Sequence, residues 1–291
     1  MTTVANPVRL PNLSRRARRR TRAAVLTVLV VGIVAWSIGP FLWQLNASFQ
    51  PDVNLTKKVP SWLPIPFTVE HYRNVFGPRN FAAYLQNSLL VTTISTVLTL
   101  AIGTLGAYAM ARLRVAGKGL VLGLLLAMSM FPHIAVVTPL YRFFGETALL
   151  NTYLALIAPY IGLSVPLVVF ILHTHLRSIP REIDEAAAVD GAGKLRTLWS
   201  VILPLAAPGM ATAAIIAFIG NWNELMLALA FTSTQDRQTV SVGIVNFTDL
   251  DYVPLGDMAA ASIVVTVPLV VLVLIFQRRI VTGLTSGGVK A

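Results

Sequence analysis

The sequence predicts an all-α integral membrane protein of six transmembrane helices, and three observations carry that prediction. The chain of 291 residues is 55% hydrophobic and only 12% charged, with a mean hydropathy of +0.71. Soluble domains carry about a quarter charged residues, so much of this surface does not face water. A helix crossing the hydrocarbon core needs about 20 mostly apolar residues. Such stretches run roughly Ala23–Leu45, Tyr84–Ala111, Leu120–Tyr141, Thr152–His173, Leu203–Ala230 and Met258–Phe276. The third observation is that lysine and arginine gather at alternate ends of these runs.

The first span follows Arg15, Arg16, Arg18, Arg19, Arg20 and Arg22. The run resembles the basic start of a signal peptide, but the apolar stretch is too long and no small-residue cleavage site follows, so a retained helix is expected. Six spans place both termini on one side. With Arg9 and the arginine run, that side holds Arg112, Arg114, Lys118, Arg177, Arg181, Lys194, Arg196, Arg278, Arg279 and Lys290. The other side holds only Lys57, Lys58, Arg73, Arg79, Arg142 and Arg237. Cytoplasmic loops carry the excess of Lys and Arg, so both termini are expected in the cytoplasm. The net charge of +11 then points to anionic lipid headgroups rather than nucleic acid.

This orientation divides the chain into a basic arm (1–22), a six-helix membrane domain (23–276) with a cytoplasmic loop at 178–203, and a cytoplasmic tail (277–291). On the outside, residues 48–83 include Pro60-Ser61-Trp62-Leu63-Pro64-Ile65-Pro66, suited to the headgroup level where aromatic rings settle. Residues 231–257 carry Asp236, Asp249, Asp251 and Asp257, either a face for a partner or an ordinary solvated loop. Inside the spans, Gly103, Gly106, Ala107 and Ala111 present small side chains that let helices approach closely. Pro132, Pro139, Pro159, Pro166 and Pro268 each free a backbone carbonyl and bend a helix.

The loop between the fourth and fifth spans reads as two short helices and a turn. Pro180 starts the first, with Glu182, Asp184 and Glu185 near its positive dipole end. Asp190-Gly191 breaks it, glycine supplying the left-handed conformation. Leu195, Leu198 and Trp199 then form an apolar stripe at i, i+3, i+4. Such a stripe needs its own bundle or a partner to bury it.

The run Glu185-Ala186-Ala187, Asp190-Gly191-Ala192, Leu203-Pro204-Leu205 and Pro208-Gly209 resembles the EAA loop of ABC importer permeases. That resemblance implies the type I importer permease fold. In that family the loop forms the coupling helix that docks into a groove of the ATPase subunit. It assigns the ATPase-coupling role to Glu185, Ala186, Ala187, Asp190, Gly191, Leu195 and Leu198. Leu198 departs from the many relatives that place an aromatic near the end of the second helix. Two further stretches, Asn221-Trp222-Asn223-Glu224-Leu225 and the tail Gln277–Lys290, resemble MalG-type subunits of carbohydrate importers, the trehalose-importing SugB-type included. The likeness implies that Gly283, Leu284, Thr285, Ser286 and Gly287 contact the ATPases. It also implies a second permease subunit, two ATPase subunits holding ATP and Mg2+, an extracytoplasmic sugar-binding protein, and a bacterial inner membrane.

Other chemistries find little support. Gly191-Ala192-Gly193-Lys194 invites a phosphate-loop reading, but Ala188 and Leu195 stand where that motif needs Gly and Ser/Thr. No nucleotide or metal is therefore expected on this chain. Cysteine is absent, and His173 and His175 at a span end cannot form HExxH. His133, beside Pro132, suits either a pathway or a hydrogen-bonded structural place. Glu224 is the one acid expected inside a span, where lipid exposure would cost about 2.5 kcal/mol or more. With Asn221 and Asn223 it forms a candidate substrate path, or else a cap or a contact to a partner permease. The expected cargo is a sugar, a disaccharide such as trehalose or a maltose-like sugar, with another solute such as a glycerophosphate compound as the alternative. An ion-coupled transporter would be expected to show inverted repeats and several membrane acids. An intramembrane enzyme would need a nucleophile with its base, or a metal cluster.

Overall fold

The computed structural model describes residues 15–58, 61–248 and 253–286, with side chains described for 19–58, 61–248 and 253–277. Among the described residues every regular element is helical. Backbone groups at membrane depth must be satisfied within their own segment, which is why apolar runs of this length form helices.

Helix α1 (Arg15–Ala47) lies against the last helix, and none of its most apolar window is buried by the rest of the chain. Trp36 is 87% exposed. Two short helices follow, α2 (Asp52–Leu55) and α3 (Glu70–Phe76), and Phe49 before the first stacks on Phe67 before the second at 4.8 Å. The most extensive packing joins α4 (Phe81–Arg112) to α7 (Tyr153–Ser178). Small residues make that approach possible: a Cβ on Gly103 would stand 2.6 Å from Val168 Cγ1, and one on Gly106 3.3 Å from Val169 Cγ2. Ala107, Ala111, Val168, Leu172 and Leu176 continue the same core.

The third expected span is bent rather than straight. Helices α5 (Lys118–Ser129) and α6 (Ile134–Glu146) meet at 89° across Met130-Phe131-Pro132-His133. Proline lacks the N–H that would continue the helix and its ring clashes with the preceding turn. Among the described residues five helices are long and apolar enough to cross a membrane, and the bent pair, counted as one span, brings the number to six. Pro139, Pro159, Pro166 and Pro268 sit inside helices that continue through them.

Between α7 and the fifth span come α8 (Glu182–Val189), α9 (Lys194–Thr197) and a π-helical turn at Leu198–Ile202, which leads into α10 (Leu203–Trp222). α10 stops at Trp222, short of the expected Ala230, and the chain resumes as α11 (Met226–Phe231) and α12 (Val240–Val245). Helix α13 (Leu255–Ser286) closes the bundle. The loop 178–203 marks one end of this bundle, and α3, α12 and the start of α13 mark the far end.

A buried polar cluster organises the far end. His71 Nδ1 is 2.8 Å from Asp257 Oδ1, and its Nε2 is 2.8 Å from the Gln50 carbonyl. Arg79 Nε donates to Asp257 Oδ2 at 3.0 Å. Asp257, expected on an outer segment that is either a face for a partner or a solvated loop, is instead 5% exposed in the first turn of α13. Paired with Arg79 and His71 and shut away from solvent, it offers no surface to another protein. Asp249 and Asp251 lie outside the described residues. Asp236 stays at the surface, where the Thr234 hydroxyl and then Arg237 hold its carboxyl below the usual range.

Candidate functional site

Helix α7 ends because Ile179 is extended and precedes Pro180, which disfavours a helical residue before it. Glu182, Asp184 and Glu185 fill the first turn of α8. At its other end Gly191 has φ +77°, Gly191 N–H donates to Ala188 O (3.1 Å) and Ala192 N–H to Ala187 O (2.9 Å). Those two bonds make a Schellman cap, and the positive φ is why glycine stands at that position. The turn leaves Glu185, Ala186, Asp190, Gly191 and Leu195 exposed, while Ala187 is buried against the loop's own fold.

The apolar stripe divides. Leu195 and Trp199 are 66% and 60% exposed, whereas Leu198 is fully buried among Tyr108, Leu172, Leu176 and Ile202. One helical residue is about 100° of rotation, enough to turn Leu198 from the Trp199 face into the bundle. Leu198 is therefore core in this chain and cannot itself touch a docked partner. Of the tail residues, Gly283, Leu284, Thr285 and Ser286 lie in the backbone of the last turn of α13, and Gly287 lies outside the described residues.

At mid-bundle a cavity of about 140 Å³ opens between the bend of the third span, α7 and α10. Ser129, His133, Tyr160, Ser164, Asn221 and Glu224 supply its polar atoms. Glu224 sits in the break between α10 and α11. Its carboxylate accepts from Leu227 N–H (3.0 Å), Ala228 N–H (3.2 Å) and the Tyr160 hydroxyl (3.1 Å). It thus caps α11, whose first N–H groups have no intrahelical acceptor. Asn221 Oδ1 accepts from Ser164 Oγ at 2.9 Å, but its Nδ2 is buried with no partner, on a side chain 6% exposed. A buried donor left unpaired is costly, and Asn221 lines the cavity. Asn223 is exposed, bonds back to Ile219 O (2.8 Å), and does not line the cavity. Tyr160 and Ser164, absent from the sequence-derived set, share one face of α7 at i, i+4. A search for polar side chains at helical spacing within a span would have found them. Among the described residues no group of side chains could hold a metal.

Residues 100–286 match the family described as binding-protein-dependent transport system inner membrane component. The chain belongs to that family. It is 44% identical to the trehalose transport system permease protein SugB of Mycobacterium tuberculosis, over 94% of this chain and 99% of the relative. It is 38% identical to the trehalose/maltose transport system permease protein MalG of Thermococcus litoralis, over 90% and 96%. The sulfoquinovosyl glycerol transport system permease protein SmoH of Agrobacterium fabrum is 39% identical over 86% of this chain and 88% of the relative. Among solved structures, a bacterial ABC transporter importing the polysaccharide alginate superposes with a TM-score of 0.75 at 20% identity, over 92% and 99% of the two chains. The MetNI methionine transporter gives 0.55 at 17% identity, over 69% and 93%. Together these establish the type I importer permease fold. As an ABC permease subunit the chain is a transport component rather than an enzyme, and nucleotide and Mg2+ belong to partner ATPases.

Proposed function

We propose that this permease imports a sugar, with a disaccharide of the trehalose or maltose type as its cargo. It forms half of the translocation pathway with a second permease subunit. Two ATPase subunits dock at the loop end, which faces the cytoplasm with both termini, and an extracytoplasmic binding protein delivers sugar at the far end. Glu185, Ala186, Asp190, Gly191 and Leu195 form the docking surface, with the buried Ala187 supporting it from beneath, and the tail from Gly283 to Gly287 reaches the same ATPases. The carrying observation is the loop itself: a Schellman-capped helix holding an acid, small residues and the exposed Leu195 and Trp199 outward at one end of a membrane bundle. Nucleotide binding would favour one arrangement of the docked loops and so shift the population between inward- and outward-open states.

Two features support sugar as cargo. Permeases similar to this chain include ones named for trehalose, for trehalose/maltose and for sulfoquinovosyl glycerol. The unpaired Asn221 amide offers a hydrogen bond to a hydroxyl, in a cavity whose volume is below the ~300–1,000 Å³ of complete ligand sites. A half-size cavity is what one of two permease walls would contribute.

The test is uptake of radiolabelled trehalose and maltose into proteoliposomes holding the full complex. Uptake should need ATP, and Asn221→Ala should lower it about 2- to 12-fold at equal complex content, the worth of one hydrogen bond. Uptake driven by an ion gradient without ATP would overturn the coupling, and full uptake by the variant would remove Asn221 from the pathway.

A further inference from the structure

We infer that the last turn of α4 grips the docking loop, and that Arg112 is the positioning residue that transmits its motion to the cavity; the inference rests on the docking role proposed above. One turn of α4 reaches three parts of the loop. Arg112 Nη2 donates to Ile179 O at 2.9 Å, where the chain leaves α7. Arg112 Nε stands 3.1 Å from Asp184 Oδ2 in the first turn of α8, the two side chains only 6% and 14% exposed. The N–H does not point along that line, so the contact is a charge pairing rather than a hydrogen bond. Arg181 Nη2 donates back to Ala111 O (3.5 Å), a carbonyl near the end of α4 that lacks a helical partner. The Tyr108 hydroxyl donates to Lys194 O (3.4 Å), at the start of α9. Entry, body and exit of the loop are thus held to one helix turn.

An ion pair with so little water around it forfeits hydration, and apolar packing would often serve stability as well. What the pair and its carbonyl bond add is direction: the planar guanidinium meets two partners in fixed positions. The connection to α10 is built differently. It runs through the π-turn Leu198–Ile202, and such turns inside helices frequently mark functional sites. A displaced loop therefore carries α4 with it, and α4 carries α7 through the close contacts at Gly103 and Gly106. α10 is joined to the loop through the π-turn instead, without the Arg112 and Tyr108 contacts. The cavity lies across that boundary, with Tyr160 and Ser164 on α7 and Asn221 on α10. Relative motion there lengthens the Ser164–Asn221 bond and opens the site.

This chain has no cysteine, so introduced cysteines can be labelled on it specifically before it is reconstituted with its partners, and the grip measured in the full complex. Spin labels on Arg114→Cys and Val189→Cys, both exposed, report the distance from α4 to α8 in nucleotide-free and nucleotide-trapped states. The wild-type background should give the same distance in both, and Arg112→Ala should broaden it and make it state-dependent. Arg112→Ala and Asp184→Asn should each lower trehalose taken up per ATP hydrolysed about 10-fold, within the roughly 2- to 30-fold range of coupling residues remote from both ligands. Their combination should cost no more than either alone, and the swap Arg112→Asp with Asp184→Arg should recover part of the loss. A wild-type distance that changes between states, additive losses, or losses that merely follow the amount of assembled complex would each overturn the inference. Failure of wild-type membranes to yield any ATPase would instead refute the docking on which it rests.

Discussion

Glu224→Ala tests whether the acid beside the cavity is first of all a structural group. The wild-type carboxylate satisfies the N–H groups of Leu227 and Ala228, so its removal costs a cap-type loss of ~1 kcal/mol. It also strands the Tyr160 hydroxyl, on a side chain 1% exposed, at ~1–3 kcal/mol. The expected destabilisation is therefore about 2–4 kcal/mol, concentrated where Leu227, Ala228 and Phe231 pack against Phe144 of α6. Glu224→Gln keeps an acceptor oxygen for the amides and for Tyr160, at roughly half the strength of a charged one, and should lose about 1 kcal/mol. The assay is thermal denaturation of the purified complex in lipid nanodiscs, followed by intrinsic fluorescence, with uptake measured on the same preparations. Wild type should be most stable, the glutamine variant intermediate and the alanine variant least stable. Uptake by Glu224→Gln should fall while ATP hydrolysis persists. An alanine variant as stable as wild type would refute the capping account, and unchanged uptake by the glutamine variant would leave the carboxylate without any part in transport.

The divided stripe predicts a divided phenotype. Leu198→Ala should destabilise by ~2–5 kcal/mol as a core truncation and lower the yield of folded subunit. Leu195→Ala should change stability by no more than ~0.5 kcal/mol yet reduce ATPase recovered by affinity purification. Equal behaviour of the two variants would contradict the burial difference between them. At the α4–α7 crossing, Gly103→Ala puts a methyl 2.6 Å from Val168 Cγ1, and a β-branched valine has little rotamer freedom to yield. The expected cost is ~1–3 kcal/mol, with recovery when Val168→Ala is added; denaturation of the single and double variants decides it.

The spans were legible because lipid offers no substitute for backbone hydrogen bonds, so each crossing needs a long apolar run that stands out in the sequence. The bend of the third span was less legible. Pro132 breaks its helix while Pro139, Pro159, Pro166 and Pro268 do not, and what distinguishes them is the surrounding structure rather than the residue. Asp257 illustrates a harder limit: its partners His71 and Arg79 lie 186 and 178 positions away, so nothing local marks it as buried. Helical periodicity placed Leu195, Leu198 and Trp199 on one stripe, but a stripe about 100° wide spans both sides of the boundary between surface and core.

The polar run Asn221–Glu224 was visible against its apolar neighbours, whereas the roles within it were not. Three donors from α7 and α11 occupy the Glu224 carboxylate, and Asn223 turns back on its own helix. That leaves Asn221 as the member with an amide to give. Its helix starts one π-turn from the docking loop and, at 20 residues, spans about 30 Å to the cavity. The same helix therefore has the loop signature at one end and the unpaired donor at the other. On the docking proposed above, α10 and the α4–α7 pair are two routes from the loop to the cavity, joined to the loop by different contacts: the π-turn for α10, and Arg112, Arg181 and Tyr108 for α4.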